Sequence, residues 1–182
     1  EQGAVWETQL TLLEGENTIT AKAEDAAGNV ATASIKVNVD ITPPRIDVLS
    51  PANGSLTNQI IVQLNGTTED GSVVTVDGMP ATVTGTSFSM TTRLTEGTNV
   101  IPLFARDKAG NTNTGTWTLL VDITNPPLDI ITPRDGLLTT QNTVQVTGTT
   151  EPGARITVNG KDAAVDAAGK FMVDVALVQG DN

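Results

Sequence analysis

The stretch Asp40-Ile41-Thr42-Pro43-Pro44 returns as Asp122-Ile123-Thr124-Asn125-Pro126-Pro127, with 82 residues (122 − 40) between the two aspartates. Other pieces keep the same interval. Gly28-Asn29 pairs with Gly110-Asn111, Gly66-Thr67-Thr68-Glu69 with Gly148-Thr149-Thr150-Glu151, and Val76-Asp77-Gly78 with Val158-Asn159-Gly160. A fixed period of this size is the mark of an array of like units. The double proline is the joint between units. Each proline fixes φ, removes a donor and pushes its predecessor toward an extended conformation, so two together form a short, stiff connector.

Between the joints, Val, Ile and Thr alternate with polar residues, and Gly, Asn, Asp and Pro break the runs at short intervals. That pattern predicts half-buried strands joined by turns. The complete unit spans 41–122. Strand A is expected near Ile46–Leu49, B near Gln59–Gly66 and C near Val73–Val76. A short D carries Ala81 and Val83, and E carries Phe88, Met90 and Leu94. F carries Ile101, Leu103 and Ala105, and G carries Trp117, Leu119 and Val121. Seven short strands in a unit of this length predict an all-β fold, a small immunoglobulin-like β-sandwich repeated in tandem.

The flanking segments are parts of the same unit. Residues 1–40 align with 83–122 and supply strands E to G, with Trp6 at the position of Phe88. Ile19, Ala21, Ala23, Ile35, Val37 and Val39 are expected inward. Residues 123–182 supply strands A to E, with Val144, Val146, Ile156, Val158, Phe171, Val173 and Leu177 inward. Half a sandwich leaves its apolar face bare, so neither segment is expected to close alone. The chain is expected to be an excerpt of a longer repeat protein. The competing reading has the two end segments of different copies completing each other. It is disfavoured because strand E would be present twice, as Trp6–Leu12 and as Phe171–Leu177.

Composition narrows the function classes. The 182 residues contain no Cys and no His, which removes thiol chemistry and the commonest general base. Ser and Thr are plentiful, but no His or Cys can activate them, and no phosphate-binding loop is present. Asp and Glu number 21 against 10 Lys and Arg, for a net charge of −11. That balance argues against nucleic acid as a partner and toward cations. No apolar run approaches the length of a membrane span.

Asp25-Ala26-Ala27-Gly28-Asn29 and Asp107-Lys108-Ala109-Gly110-Asn111 connect strands F and G. Turn chemistry accounts for them: Asp bonds backbone two residues on, and Gly takes the positive φ. A sharper reading adds a metal. In this sandwich the B–C and F–G loops lie at the end where the chain enters. At the first joint Asp40, Glu69, Asp107 and, more weakly, Asp70 would therefore converge, and at the second Asp122 and Glu151. Oxygen-only, carboxylate-rich sets suit Ca²⁺. Leu94-Thr95-Glu96-Gly97-Thr98-Asn99, repeated as Leu12-Leu13-Glu14-Gly15-Glu16-Asn17, reads as a structural E–F turn. Trp6, Phe88, Trp117 and Phe171 fall on inward positions, which leaves little for a sugar-binding platform. Phe104 points outward, as an ordinary exposed Phe or a contact with a neighbouring chain. Asn53-Gly54-Ser55 and Asn65-Gly66-Thr67 fit the glycosylation pattern but read as turns.

Asp-x-Thr-x-Pro at the linker, Gly-Thr-Thr-Glu-x-Gly after strand B and Asp-x-Ala-Gly-Asn between F and G resemble the bacterial immunoglobulin-like (Big-type) tandem repeats of large surface adhesins and extracellular fibres. The resemblance covers the whole chain. It implies a secreted or cell-surface, rod-like array, often stiffened by calcium at the joints. It points to Asp40, Glu69, Asp107, Asp122 and Glu151 as ligands. Asn125, which lengthens the second linker, and Pro152, which replaces Asp70, depart from the first joint. The expected function is a structural segment and not an enzyme. Its partners would be other repeats of the same protein and neighbouring fibre subunits. The alternative is an accessory binding or spacer module of a larger secreted carbohydrate-active enzyme.

Overall fold

The computed structural model describes residues 5–182, and every regular element among them is a β-strand. The chain divides into two compact units, one ending at Ile123 and the other starting at Thr124.

The first unit opens with a hairpin, β1 (Gly15–Glu24) and β2 (Val30–Val39), in continuous antiparallel register from Gly15 opposite Val39 to Glu24 opposite Val30. A nine-strand segment follows. It comprises β3 (Ile46–Ser50), β4 (Ser55–Thr57), β5 (Ile61–Thr68), β6 (Val73–Val76), β7 (Met79–Pro80), β8 (Thr82–Thr84), β9 (Ser87–Arg93), β10 (Gly97–Arg106) and β11 (Thr112–Val121). Two sheets result, in strand orders β3-β5-β9-β8 and β4-β11-β10-β6-β7. This is the immunoglobulin-like sandwich, with β3, β5, β6, β9, β10 and β11 in the places expected for strands A, B, C, E, F and G.

Alternation decides which side chains meet between the sheets. Val62, Leu64, Val74, Val76, Phe88, Leu94, Ile101, Leu103, Ala105, Trp117, Leu119 and Val121 form one buried cluster, with Ile46, Val48, Ala81, Val83 and Met90 packed against it. Trp117 lies at the centre, 1% exposed, and its indole N–H donates to the Pro51 carbonyl at 3.0 Å. Gly66 faces Phe88 across the ladder, and a Cβ there would strike the Phe88 ring and the Asp47 carbonyl. The glycine of Gly-Thr-Thr-Glu is thus a packing requirement, repeated at Gly148 under Phe171.

The second unit has β12 (Leu128–Thr132), β13 (Thr143–Thr150) and β16 (Lys170–Ala176) in one sheet, with β14 (Ile156–Val158) and β15 (Lys161–Ala163) paired separately. Val146, Ile156, Ala163, Phe171, Val173 and Val175 are buried together, while Val144 and Val158 are partly buried against them. Leu177 is half-buried.

Several expectations need correction. Residues 6–12 form no strand, and Trp6 is 70% exposed where an inward position was expected. In the complete repeat, β9 is held by β5 on one side and β8 on the other. The segment before β1 carries neither neighbour, so its ladder has no partner and Trp6 no core. For the same reason Ile35 is 62% exposed and Ala23 exposed, while Ile19, Ala21, Val37 and Val39 are only half-buried. Strand A is split: β3 pairs with β5, and β4 crosses to pair in parallel with β11. Strand B runs two residues later than expected. Phe104 is half-buried, its ladder partners being Thr75 and Thr114. Asn53 lies in a turn as expected, its side-chain oxygen accepting the Thr118 N–H at 2.7 Å, whereas Asn65-Gly66-Thr67, also read as a turn, lies within β5.

Candidate metal centre at a repeat joint

The loop between β10 and β11 begins with Asp107, which is 6% exposed. Its Oδ1 accepts the N–H groups of Gly110 at 2.7 Å and Asn111 at 2.8 Å, and its Oδ2 accepts the Asn111 side-chain amide at 2.9 Å. A carboxylate has about four acceptor positions. Oδ2 takes the Asn111 amide and retains one. Burial alone pushes this carboxyl's pKa upward. The Asn111 side chain and the N–H groups of Gly110, Asn111 and Ala109 outweigh it, so the net shift is downward. Asp107 therefore stays an anion at neutral pH.

Asn111 ties that loop to the incoming linker. Its amide also donates to the Asp40 carbonyl at 3.0 Å and approaches Asp40 Oδ1 at 3.4 Å. Two residues on, the Asn113 amide donates to the Pro44 carbonyl at 2.9 Å. Asp40 also accepts the Thr42 N–H on Oδ1 at 3.1 Å, an Asx turn that explains the Asp-x-Thr spacing. The turn after β5 brings the third carboxylate. Glu69 is exposed, and its carbonyl closes the turn by accepting the Ser72 N–H at 3.1 Å.

Asp40, Glu69 and Asp107 each offer an oxygen, and these oxygens lie within 4.8 Å of one another. Calcium–oxygen bonds are about 2.3–2.6 Å, so two ligands on one ion sit up to about 5 Å apart. The donor set is all oxygen, which fits a hard cation. Thr68 Oγ1 and Ser72 Oγ are buried without a hydrogen-bond partner, but so is Thr150 Oγ1, the counterpart of Thr68 in the second unit, so the fit rests on the carboxylates alone. The residues present therefore fit a calcium-type ion in donor chemistry and spacing.

Of the five carboxylates singled out from sequence, the structure gathers three. Asp122 follows β11 in the first unit and donates its N–H to the Thr57 carbonyl at 2.9 Å. Glu151 is exposed in the second unit. The three-carboxylate group includes neither. Asp70 is not part of that group and pairs with Lys108 at 3.6 Å. Sequence reasoning missed Asn111 and Asn113 as linker ligands, although the Asp-x-Ala-Gly-Asn motif had flagged the first as a turn residue.

The profile of the family described as "Glucodextranase, domain B" matches residues 44–123 and, a second time, residues 126–182. The chain belongs to this family. The double match follows the internal repeat, with its break across the second linker. Bacillopeptidase F of Bacillus subtilis (strain 168) is 32% identical over 129 residues, which are 69% of this chain and 9% of that protein. The chain thus spans less than a tenth of the length of that curated relative. Among solved structures, a tetra-tandem repeat in the extending region of a large adhesion protein is similar at a TM-score of 0.40 and 24% identity. It covers 92% of this chain and 50% of that one. A 1.5-MDa bacterial ice-binding adhesin is similar at a TM-score of 0.36 and 20% identity, over 90% of this chain and 64% of that one.

Proposed function

We propose that this chain is a non-catalytic structural segment of a secreted or cell-surface protein, an array of immunoglobulin-like repeats whose joint is stiffened by Ca²⁺ held by Asp40, Glu69 and Asp107. The observation that carries the reading is the convergence of these three carboxylates from three separate pieces of chain. Asp40 belongs to the linker, and Glu69 and Asp107 to two loops of the repeat it enters. Without a cation they repel one another. A divalent ion would cancel that repulsion and fasten the linker to the sandwich. The Oδ2 of Asp40, the remaining lone pair of Asp107 and the exposed Glu69 carboxylate are the positions that would face it. The cofactor would act on geometry and not on a reaction.

A second reading makes the segment an accessory module of a larger secreted enzyme. The family's description favours it, since it names a domain of a glucodextranase, and so does a relative named as a peptidase. Those names belong to different kinds of enzyme. A module common to both is more economically a spacer than a recogniser of one substrate. The absence of His and Cys from the sequence supports a role without catalysis. A fibre or adhesin, with neighbouring subunits as partners, and an enzyme stalk are both served by the same stiff joint.

X-ray scattering tests the stiffening. With a few millimolar Ca²⁺ the 182-residue chain should show a longer maximum dimension and a narrower distance distribution than with chelator. Identical profiles would count against the calcium joint.

A further inference from the structure

The linker is also met from behind. The turn before β1 presents Glu14, whose Oε2 accepts the Ile41 N–H at 3.0 Å and whose Oε1 lies 3.5 Å from the Thr42 hydroxyl. The turn before β10 does the same one period later: Glu96 Oε2 accepts the Ile123 N–H at 2.9 Å. The two contacts are one feature repeated, because Glu14 and Glu96, like Ile41 and Ile123, are 82 residues apart.

Each glutamate stands on a fixed mount. Asn17 accepts the Leu13 N–H at 3.0 Å and donates to the carbonyls of Leu13 at 2.7 Å and Gly15 at 2.9 Å. Asn99 accepts the Thr95 N–H at 3.0 Å and donates to the carbonyls of Thr95 at 2.8 Å and Gly97 at 3.0 Å. Gly15 and Gly97 have φ of 92° and 90°, a region that side chains beyond Cα disfavour. The ladder sets Gly15 opposite Val39 and Gly97 opposite Val121. The glutamate before each glycine is thereby brought beside the first residues leaving the strand.

We propose that this glutamate is a linker clasp, a second joint element that works without a cation. Its carboxylate holds the Ile41 amide from the repeat being left, while Asn111 and Asn113 hold the linker carbonyls from the repeat being entered. Hydrogen bonds to an ionised acceptor are stronger and shorter than neutral ones, which suits a contact exposed to water. The path of Asp40-Ile41-Thr42 is thus set at both ends. The clasp stands whether or not the joint binds calcium.

Amide hydrogen exchange of the full 182-residue chain in chelator tests it, with two internal sites as mutual controls. Glu14→Ala should speed exchange at Ile41 by on the order of tenfold, the loss expected for one charge-assisted bond. It should leave Ile123 and the β10–β11 ladder unchanged. Glu96→Ala should do the reverse, and Glu14→Gln, which keeps an acceptor without its charge, should fall between wild type and Glu14→Ala. Unchanged Ile41 exchange in Glu14→Ala, or a wild-type Ile41 amide that exchanges as fast as an unstructured one, would overturn the clasp. A Glu14→Ala chain whose β1–β2 ladder also loses protection would overturn it too, since the residue would then serve the hairpin as a whole.

Discussion

The hairpins 15–39 and 97–121 are two copies of one local structure with opposite surroundings. Both run ten pairs in the same register, and both close on the same aspartate-centred loop. Asp25 Oδ1 accepts the N–H groups of Ala27 and Asn29 at 2.9 Å, and its Oδ2 accepts the Asn29 amide at 2.8 Å, much as Asp107 does. In the second copy Trp117, Leu119 and Val121 are at most 1% exposed; in the first, Ile35, at the position of Trp117, is 62% exposed. Register and loop are therefore properties of the local sequence. Burial and the carboxylate site are properties of the rest of the sandwich, which brings β3 to β9 and the linker.

The largest effect that separates the copies is in the core. Trp117→Ala should cost about 3–5 kcal/mol, the usual range for removing a buried large aromatic. Ile35→Ala should stay within about 0.5 kcal/mol, as exposed substitutions do. Chemical denaturation followed by circular dichroism measures both. Equal costs would mean that hairpin 15–39 has a core of its own.

Much of this was legible in the sequence, for a physical reason. Two-residue alternation names the inward side chains without knowledge of partners, so the buried list of the complete repeat was readable. Trp6 was misread because a period fixes which face a residue occupies and not whether anything covers that face. The β3–β4 split was missed because Pro51 and Asn53 look like a turn, and nothing local says that the chain changes sheets there. The convergence of Asp40, Glu69 and Asp107, though not a matching group at Asp122 and Glu151, was readable because the topology of the sandwich dictates which loops share an end. The roles of Asn111, Asn113, Glu14 and Glu96 were not, since side-chain bonds to a linker depend on rotamers that sequence does not display.

A smaller contrast concerns acid. Asp25 and Asp107 both have pKa values below the ordinary carboxylate range. For Asp25 the first cause is the Asn29 side chain; for Asp107 burial opposes the shift and the hydrogen bonds outweigh it. A carboxyl whose pKa falls on folding stabilises the fold above its unfolded value, about 3.9, and loses that contribution as pH drops through the folded value. Asp107→Asn should therefore lower the denaturation midpoint at pH 7, and the gap from wild type should close below about pH 4. Asp25→Asn should leave the midpoint of the sandwich unchanged at either pH, because its hairpin adds no residue to that core. A gap for Asp107→Asn that is independent of pH would mean the loss is one of packing and not of charge.

The most direct test of the calcium joint sets the same two loops side by side. Amide resonances of the full chain are followed during a Ca²⁺ titration, with matched NaCl as the control for ionic strength. Gly110 and Asn111 should shift saturably, with a midpoint of about 10⁻⁴–10⁻³ M as for other extracellular modules. Gly28 and Asn29, which carry the same loop without Asp40 and Glu69 beside it, should stay in place. Glu69→Ala should abolish the shifts at Gly110 and Asn111. If both loops move together, or if neither moves up to about ten times that midpoint range, Asp40, Glu69 and Asp107 do not form a calcium site.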